Sequence, residues 1–561
     1  MTNTDFSCLA DAPQSHDLAD LTWLKTALRG LGYTYDGVKD LLGPRAFEAL
    51  GRDQILPGLY RVEQVLGQAD ADQQLPGQAF SQTQQSLARL IAFFLLGQSL
   101  PAQELDLALG QGASSRLERL GLAGPAPEGS DPQNPSPAGP WQALVDLRPY
   151  SADDGLEIYV ASDLGAHQRP GVLPKDHVLG IGRASLTLAQ FIERTPLDRA
   201  LDLGCGCGIQ VFHLLAHVRQ VTATDISARA LAFTRFNLLL NAQQLGLDPH
   251  NLEERVILAQ GSLLEPVAGQ LFDLVVSNPP FVITPRQKEE RAEDQFTYRD
   301  AGLPGDSLIA SLVRDLPGIL KPGGRAQMLG NWEIQQTQGP EAGWQQRPQS
   351  WLADQTEAWF IQREQVSPEE YAETWLQDAS ENRDPEHYQQ AYRAYLQDFA
   401  SRGVEAIGFG MIWLRRPADP QASGLLRRFE EITYPLGQPL APALTAALAH
   451  YDWVNSLTDQ QLMDLHLIPA EDVTEERHFT PGSEHPSVIL LRAGAGLRRT
   501  ILESSETAGF VSACDGQLSV GQILGALAAL LDWQTPEPQQ QLVSNIRELL
   551  DKGFLVPDQA D

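Results

Sequence analysis

The ten residues LDLGCGCGIQ, Leu201–Gln210, decide how this chain is read. An apolar run ending at Asp202 reads as a strand, glycines follow at Gly204, Gly206 and Gly208, and an apolar helical pattern starts directly after them. Glycine lets the backbone turn tightly and lets a ligand approach where a Cβ would clash. The first turn of the following helix leaves N–H groups free for an electronegative ligand. A dinucleotide-binding G-x-G-x-x-G loop would need glycine where Ile209 stands, so that reading fails.

Outward from this loop, strand and helix patterns alternate. IQVFHLLAHV reads as helix, QVTATDIS as strand, ARALAFTRFNLLLNAQQLG as helix, and RVILAQGS and FDLVVSNPPF as strands. LVRDLPGILKPGGRAQML, Leu312–Leu329, predicts a helix, a Gly-Gly turn and another strand. EAWFIQRE (357–364) and VEAIGFGMIWLRR (404–416) add two strands, with an acidic stretch of inserted helices between them. The alternation predicts an α/β fold with a parallel, Rossmann-like sheet and helices on both faces.

Open parallel sheets bind ligands at the carboxyl ends of their strands. Asp225 closes the strand after the glycine loop, 21 positions beyond Gly204. A carboxylate there can accept both hydroxyl hydrogens of a ribose; its plainer role is to cap the helix that starts near Ser227. Ile226 follows it, and Ser262 and Leu263 stand at the end of the third strand, VILAQGSLLEP. The fourth strand ends in VVSNPPF, Val275–Phe281. Asn278 offers a side-chain carbonyl, and Pro279 and Pro280 fix a second carbonyl in the backbone. Two acceptors in a rigid frame can hold the two hydrogens of an –NH2 group, and Phe281 offers a face to a flat conjugated group. The blander reading makes the prolines a strand terminator only.

The arrangement D-x-G-x-G-x-G, followed 70 to 77 residues later by N-P-P-F, resembles class I S-adenosylmethionine-dependent methyltransferases that act on planar nitrogen. Release-factor glutamine methyltransferases, adenine-N6 methyltransferases and rRNA guanine-N2 methyltransferases share this N-P-P-Tyr/Phe signature. KDHVLGIGRASLTLAQFI (175–192) resembles the cofactor-covering helix of the group, with Gly180 and Gly182 near the methionine moiety. FTYRDAGLPGDSLI (296–309) resembles the loop that follows the signature in the glutamine enzymes, and with PRQKEER it is expected to cover the substrate. The resemblance covers about Tyr159 to Leu329. It implies S-adenosylmethionine as cofactor, held by Asp202, Gly204, Cys205, Gly206, Gly208, Asp225, Ile226, Ser262, Leu263 and Asn278. It implies catalysis by Asn278, Pro279, Pro280 and Phe281. Ser262 departs from the acid this group often carries beside the adenine. The implied reaction is methyl transfer to a planar amino or amide nitrogen. The acceptor is expected to be a nucleobase of RNA or DNA, with protein glutamine as the alternative. A small-molecule acceptor would predict a closed pocket near Phe281. A reading of another class is a non-catalytic S-adenosylmethionine-binding or scaffold protein.

The chain has 561 residues, 42% hydrophobic and 20% charged, and these values predict two to four folded domains. The expected organisation is a helical recognition domain over 1–124, a proline-rich linker over 125–140, and a methyltransferase domain over 141–416 with a helical insertion at 366–403. An accessory domain over 417–561 follows, winged-helix-like at 497–557, in which Ser519 caps a helix. The net charge of −31 is uneven: Asp146–Arg325 holds 17 basic and 22 acidic residues, while the remainder holds 24 against 50, a net −26. That balance argues against broad affinity for nucleic acid without excluding a local basic patch. The N-terminus shows no export signal, and the most apolar window, Leu87–Gly97, falls short of the ~20 residues of a spanning helix. Four cysteines make no disulfide framework, so a reducing, cytoplasmic compartment is expected. No metal is expected either: Cys205 and Cys207 lack a second pair, and His213 and His217 lack the glutamate of H-E-x-x-H. The tryptophans at 351, 359, 375 and 413 are expected in core or interface positions.

Overall fold

The computed structural model describes residues 5–67, 80–126, 140–169, 173–286, 300, 302–335, 343–378, 384–421 and 424–558. Most of the proline-rich segment and of the segment expected to cover the substrate, at 127–139 and 287–299, lies outside these residues. The chain divides into two compact units. The first holds 1–189, 195–421 and 427–432; the second holds 190–194, 422–426 and 433–561.

An eight-stranded sheet dominates the first unit. Its strands are β1 Leu197–Leu203, β2 Val218–Asp225, β3 Val256–Gln260, β4 Phe272–Ser277, β5 Leu320–Gln335, β6 Glu357–Val366, β7 Val404–Arg415 and β8 Arg427–Glu431. They lie in the order β8-β6-β7-β5-β4-β1-β2-β3. Only β7 runs against its neighbours, pairing antiparallel with both β5 and β6. The alternation of apolar runs with helices therefore produced the expected mixed α/β architecture. Its order reverses between β1 and β4, because the chain steps outward from β1 through β2 to β3 and then returns to β4 on the other side. Such a switch point leaves a crevice at the carboxyl ends of the strands.

The helices that shape this crevice are α1 Ile209–Leu215, α2 Ala228–Leu240 and α3 Ser307–Asp315. Leu308, Ile309, Leu312 and Val313 of α3 pack on Leu201, Val275, Ala326 and Met328 of the sheet, all nearly inaccessible to water. Between β6 and β7 lie α4 Pro368–Asp378 and α5 Pro385–Ser401, whose buried Tyr371, Ala372, Leu376, Tyr395 and Phe399 form a separate core with Ile283 and Ile407.

Two features differ from the sequence expectation. The Gly323-Gly324 pair lies inside β5 rather than ending before it. It is accommodated as a bulge, since Phe272 faces Leu320 while Leu274 faces Arg325. The left-handed Gly323 (φ +77°) allows this. The sheet also takes β8 from beyond residue 416. Its sequence RRFEE shows no apolar alternation because an edge strand needs only backbone pairing, here parallel to β6.

Among the described residues, seven helices between Leu18 and Arg119 precede the sheet. The central one, Gln82–Phe94, starts with a capping box formed by Ser81 and Gln84 and buries Leu90, Ile91, Phe93 and Phe94 completely. The strands Asp146–Ser151 and Glu157–Ser162 form a hairpin, and the second is fastened to α2 by side-chain amides. Asn237 accepts from the Ala161 N–H (2.8 Å) and donates to its carbonyl (2.9 Å), and Asn241 does the same at Tyr159 (2.9 and 2.7 Å). Asn237 donates in addition to the Cys207 carbonyl in the glycine loop (3.0 Å).

In the second unit, a three-stranded antiparallel sheet (473–478, 488–493, 500–503) is followed by helices Ser505–Ala513, Val520–Leu530 and Glu537–Asp551. Ser519 caps the middle helix in a capping box with Gln522. The short strand Leu555–Pro557 then pairs with Leu467–Pro469.

Candidate active site

A cavity of about 400 Å³ opens at the switch point. Gly204, Cys205 and Gly206 line it from the loop after β1, Asp225 and Ile226 from the end of β2, Ser262 and Leu263 from the end of β3, and Asn278, Pro279 and Pro280 from the end of β4. Asp202, Gly180 and Gly182 complete that set. Four strand ends, distant in sequence, thus deliver the expected residues to one space.

The glycines divide by role. Gly204 (φ +78°) and Gly206 (φ +54°) adopt left-handed backbone, and a Cβ on either would meet only open space within 4 Å. Gly208 (φ +93°) does not line the cavity; a Cβ there would press on Thr234 and Phe212 at 3.1 and 3.2 Å. It is a packing glycine that begins α1. Phe281 also lies outside the lining. It is half-buried, with Trp375 and Phe409 approaching its ring edge-on at centroid distances of 6.3 and 6.4 Å.

The carboxylates carry the electrostatics. Asp225 accepts from the N–H groups of Gly206 (3.0 Å) and Ser227 (2.9 Å), so it ties the glycine loop to the end of β2. Ser227, not Asp225, caps α2 through its hydroxyl. Burial raises the Asp225 carboxyl above the usual range, against these hydrogen bonds. Asp202 is 1% exposed, and its Oδ2 has no hydrogen-bond partner. Burial first, and then the neighbouring Asp225 charge, push its carboxyl up to about 8. Ile226 is more than half exposed beside these acids and offers an apolar surface at the cavity wall. Leu263 holds a left-handed backbone (φ +48°), a strained conformation for a branched side chain at the cavity edge.

On the end of β4, Asn278 Oδ1 is buried without a hydrogen-bond partner. A buried carbonyl oxygen left unpaired costs about 1–3 kcal/mol, so an acceptor held in this state marks a place where a donor fits.

Several contributors carry no obvious sequence signal. Asp300 lines the cavity, is 4% exposed, pairs with Arg286 and bridges the backbone of Phe281. Its only cue was its place in the Y-R-D-A-G segment. Leu303, Leu308 and Leu312 add an apolar wall. The segment carrying Gly180 is held by Asp163, which accepts from the Val178 N–H (2.7 Å) and pairs with Arg229 (2.8 Å).

A glycine-lined cavity that holds a buried carboxylate oxygen and a buried amide oxygen, both without hydrogen-bond partners, fits a ligand with hydroxyls, an amino group and a flat apolar ring. S-adenosylmethionine has this donor set.

Residues 164–299 match the methyltransferase small domain, and residues 30–133 match a domain of unknown function (DUF7059). The middle of the chain is thus similar to methyltransferase domains, in the region that carries the glycine loop and the N-P-P-F segment. Among curated proteins, a ribosomal protein uL3 glutamine methyltransferase of Bradyrhizobium diazoefficiens is 31% identical over 160 residues, 28% of this chain and 46% of that one. A release factor glutamine methyltransferase of Deinococcus radiodurans is 33% identical over 29% of this chain and 55% of its own. A ribosomal RNA small subunit methyltransferase C of Serratia proteamaculans is 29% identical over 24% and 34%. The chain therefore spans about half the length, or less, of the curated relatives it matches.

Proposed function

We propose that this protein is an S-adenosylmethionine-dependent N-methyltransferase that acts on the –NH2 of a planar amino or amide group in a macromolecule. The observation that carries the proposal is the buried, unpaired Asn278 Oδ1 at the end of β4, in the same 400 Å³ cavity as Asp225 and the glycine loop. The cofactor supplies a methyl group activated as a sulfonium. The protein's part is positioning, with Asn278 and the proline-fixed carbonyl orienting the amino nitrogen and drawing its lone pair out of conjugation. No strong base is required of the side chains, and the Asp202 and Asp225 carboxylates serve the cofactor end.

The exposed faces of the inserted helices α4 and α5 favour a protein amide over a nucleobase as acceptor. Glu369, Glu370, Glu373, Asp378 and Glu386 are exposed there against one exposed arginine, Arg393. Phosphate groups are held by basic side chains, and an acidic surface repels them. The test is to incubate labelled S-adenosylmethionine with cell extract and digest the product. Label released by protease and retained after nuclease supports the amide. Label released by nuclease restores the nucleobase reading, and no transfer of label at all rejects the enzyme. Four free cysteines, three of them buried, support a reducing cytoplasmic compartment. No helix among the described residues is long and apolar enough to cross a membrane.

The raised Asp202 carboxyl gives a pH dependence whose sign is fixed. With its carboxyl pushed up to about 8 by burial and by the Asp225 charge, this group favours the protonated form in the free site near neutral pH. A ligand that donates hydrogen bonds or brings positive charge prefers the carboxylate, so it must displace that proton. Affinity for S-adenosylmethionine is expected to rise about tenfold per pH unit from roughly pH 6 towards 8 and then level off. Calorimetry at pH 7 in buffers of different protonation enthalpy should register close to one proton released per ligand, and Asp202→Asn should release none. Equal proton counts for the two proteins would overturn this assignment.

A further inference from the structure

We infer that Asn331 and Tyr371 are positioning residues for the methyl acceptor, so that the helical pair α4 and α5 serves as a brace for the N-P-P-F segment. The inference rests on the methyltransfer reading above. The segment leaves β4 at Asn278, and among the described residues its backbone is paired only by an isolated bridge between Phe281 and Asp300, so further groups must fix the two carbonyls that address the acceptor. Asn331, fully buried in β5, donates from Nδ2 to the Phe281 carbonyl (2.8 Å) and to the Tyr371 hydroxyl (3.2 Å). The Tyr371 hydroxyl accepts from the Ile283 N–H (2.8 Å). The backbone is thereby held at Phe281 and again two residues later, from a strand and from an inserted helix.

Rings complete the brace. Tyr371, 1% exposed, stacks on Phe409 at 5.7 Å and 15°, and Phe409 and Trp375 stand edge-on to Phe281. None of these groups lines the cavity, so they act through Asn278–Phe281 and not on the reacting atoms. A displacement of about 1 Å at a reacting centre costs on the order of 10²-fold in rate, which gives a remote hydroxyl leverage over catalysis.

Tyr371→Phe removes the hydroxyl and keeps the ring. Labelling of cell extract with radioactive S-adenosylmethionine, at saturating cofactor, should fall at least fivefold in limiting rate. The dissociation constant for S-adenosylmethionine should stay within twofold by calorimetry. Asn331→Ala, which removes the amide donor, should show the same split and carries the test if the first variant misfolds. Labelling at the wild-type rate overturns the inference, and so does loss of cofactor binding in parallel with labelling, since that marks a general structural role. Wild type and Asn278→Ala run alongside separate the two readings. A silent wild type rejects methyltransfer itself. An active wild type with a dead Asn278→Ala and a fully active Tyr371→Phe rejects only the brace.

Discussion

Replacing Asn278 by alanine is expected to lower methyl transfer by about 10²–10³-fold while leaving S-adenosylmethionine affinity within a few-fold. The different strand ends that carry Asn278 and Asp225 explain the split. Asn278 Oδ1 is unpaired in the protein, so its removal breaks no internal hydrogen bond and leaves no buried partner stranded. What disappears is an oriented acceptor for the amino group, which matters most as that nitrogen's lone pair turns towards the methyl carbon. The pair of measurements is a single-turnover labelling rate and a calorimetric titration of the cofactor. A rate unchanged by the substitution would falsify the assignment of β4's end as the acceptor site. A fall in cofactor affinity equal to the fall in rate would instead move Asn278 to the cofactor end.

Asp225→Ala is expected to weaken S-adenosylmethionine binding by about 10²-fold or more. Hydrogen bonds to a charged group contribute about 1.5–3 kcal/mol each, and a carboxylate facing a pair of ribose hydroxyls makes two. The same side chain holds the Gly206 and Ser227 N–H groups, so part of the loss passes through the loop. Asp225→Asn separates part of the contributions: because Gly206 and Ser227 bond to different oxygens, it keeps an acceptor for one of the two N–H groups and gives up the charge, and it should lose less affinity than alanine does. Undiminished binding in Asp225→Ala would remove the ribose role and leave Asp225 as a tie between the glycine loop and β2.

What was legible in the sequence was local. The glycine loop, Asp225 and Asn278 each announce themselves within a few residues, because the backbone turns and strand ends they occupy restrict residue type strongly. Sequence spacing also predicted the neighbouring strand ends, and the cavity does gather them. Gly208 shows the limit of that logic. Its neighbours Gly204 and Gly206 face open space, whereas Gly208, left-handed as they are, would in addition press a Cβ on Thr234 and Phe212. The pattern D-x-G-x-G-x-G cannot distinguish these two reasons for the same residue. Asn331 and Tyr371 were illegible for a different cause. Their bonds to the backbone at 281 and 283 span 50 and 88 residues, and neither side chain differs, in sequence, from any other polar group in a buried strand or helix. The strand RRFEE was missed because edge pairing is made by backbone groups, which carry no side-chain signature.

The amide pairs on α2 bear on how this protein can change by insertion and deletion. Asn237 and Asn241 each grip the N–H and the C=O of one residue, and those residues, Ala161 and Tyr159, are themselves two apart on an extended strand. One turn of helix is thereby indexed against two residues of strand. Removing a single residue from α2 ahead of Asn237 rotates everything beyond it by about 100° relative to the loop. That would uncouple all four bonds at once, along with the tie to Cys207. Length in this part of the chain is consequently far less free to drift than residue identity is, and the glycine loop inherits its frame from two asparagines that do not themselves line the cavity.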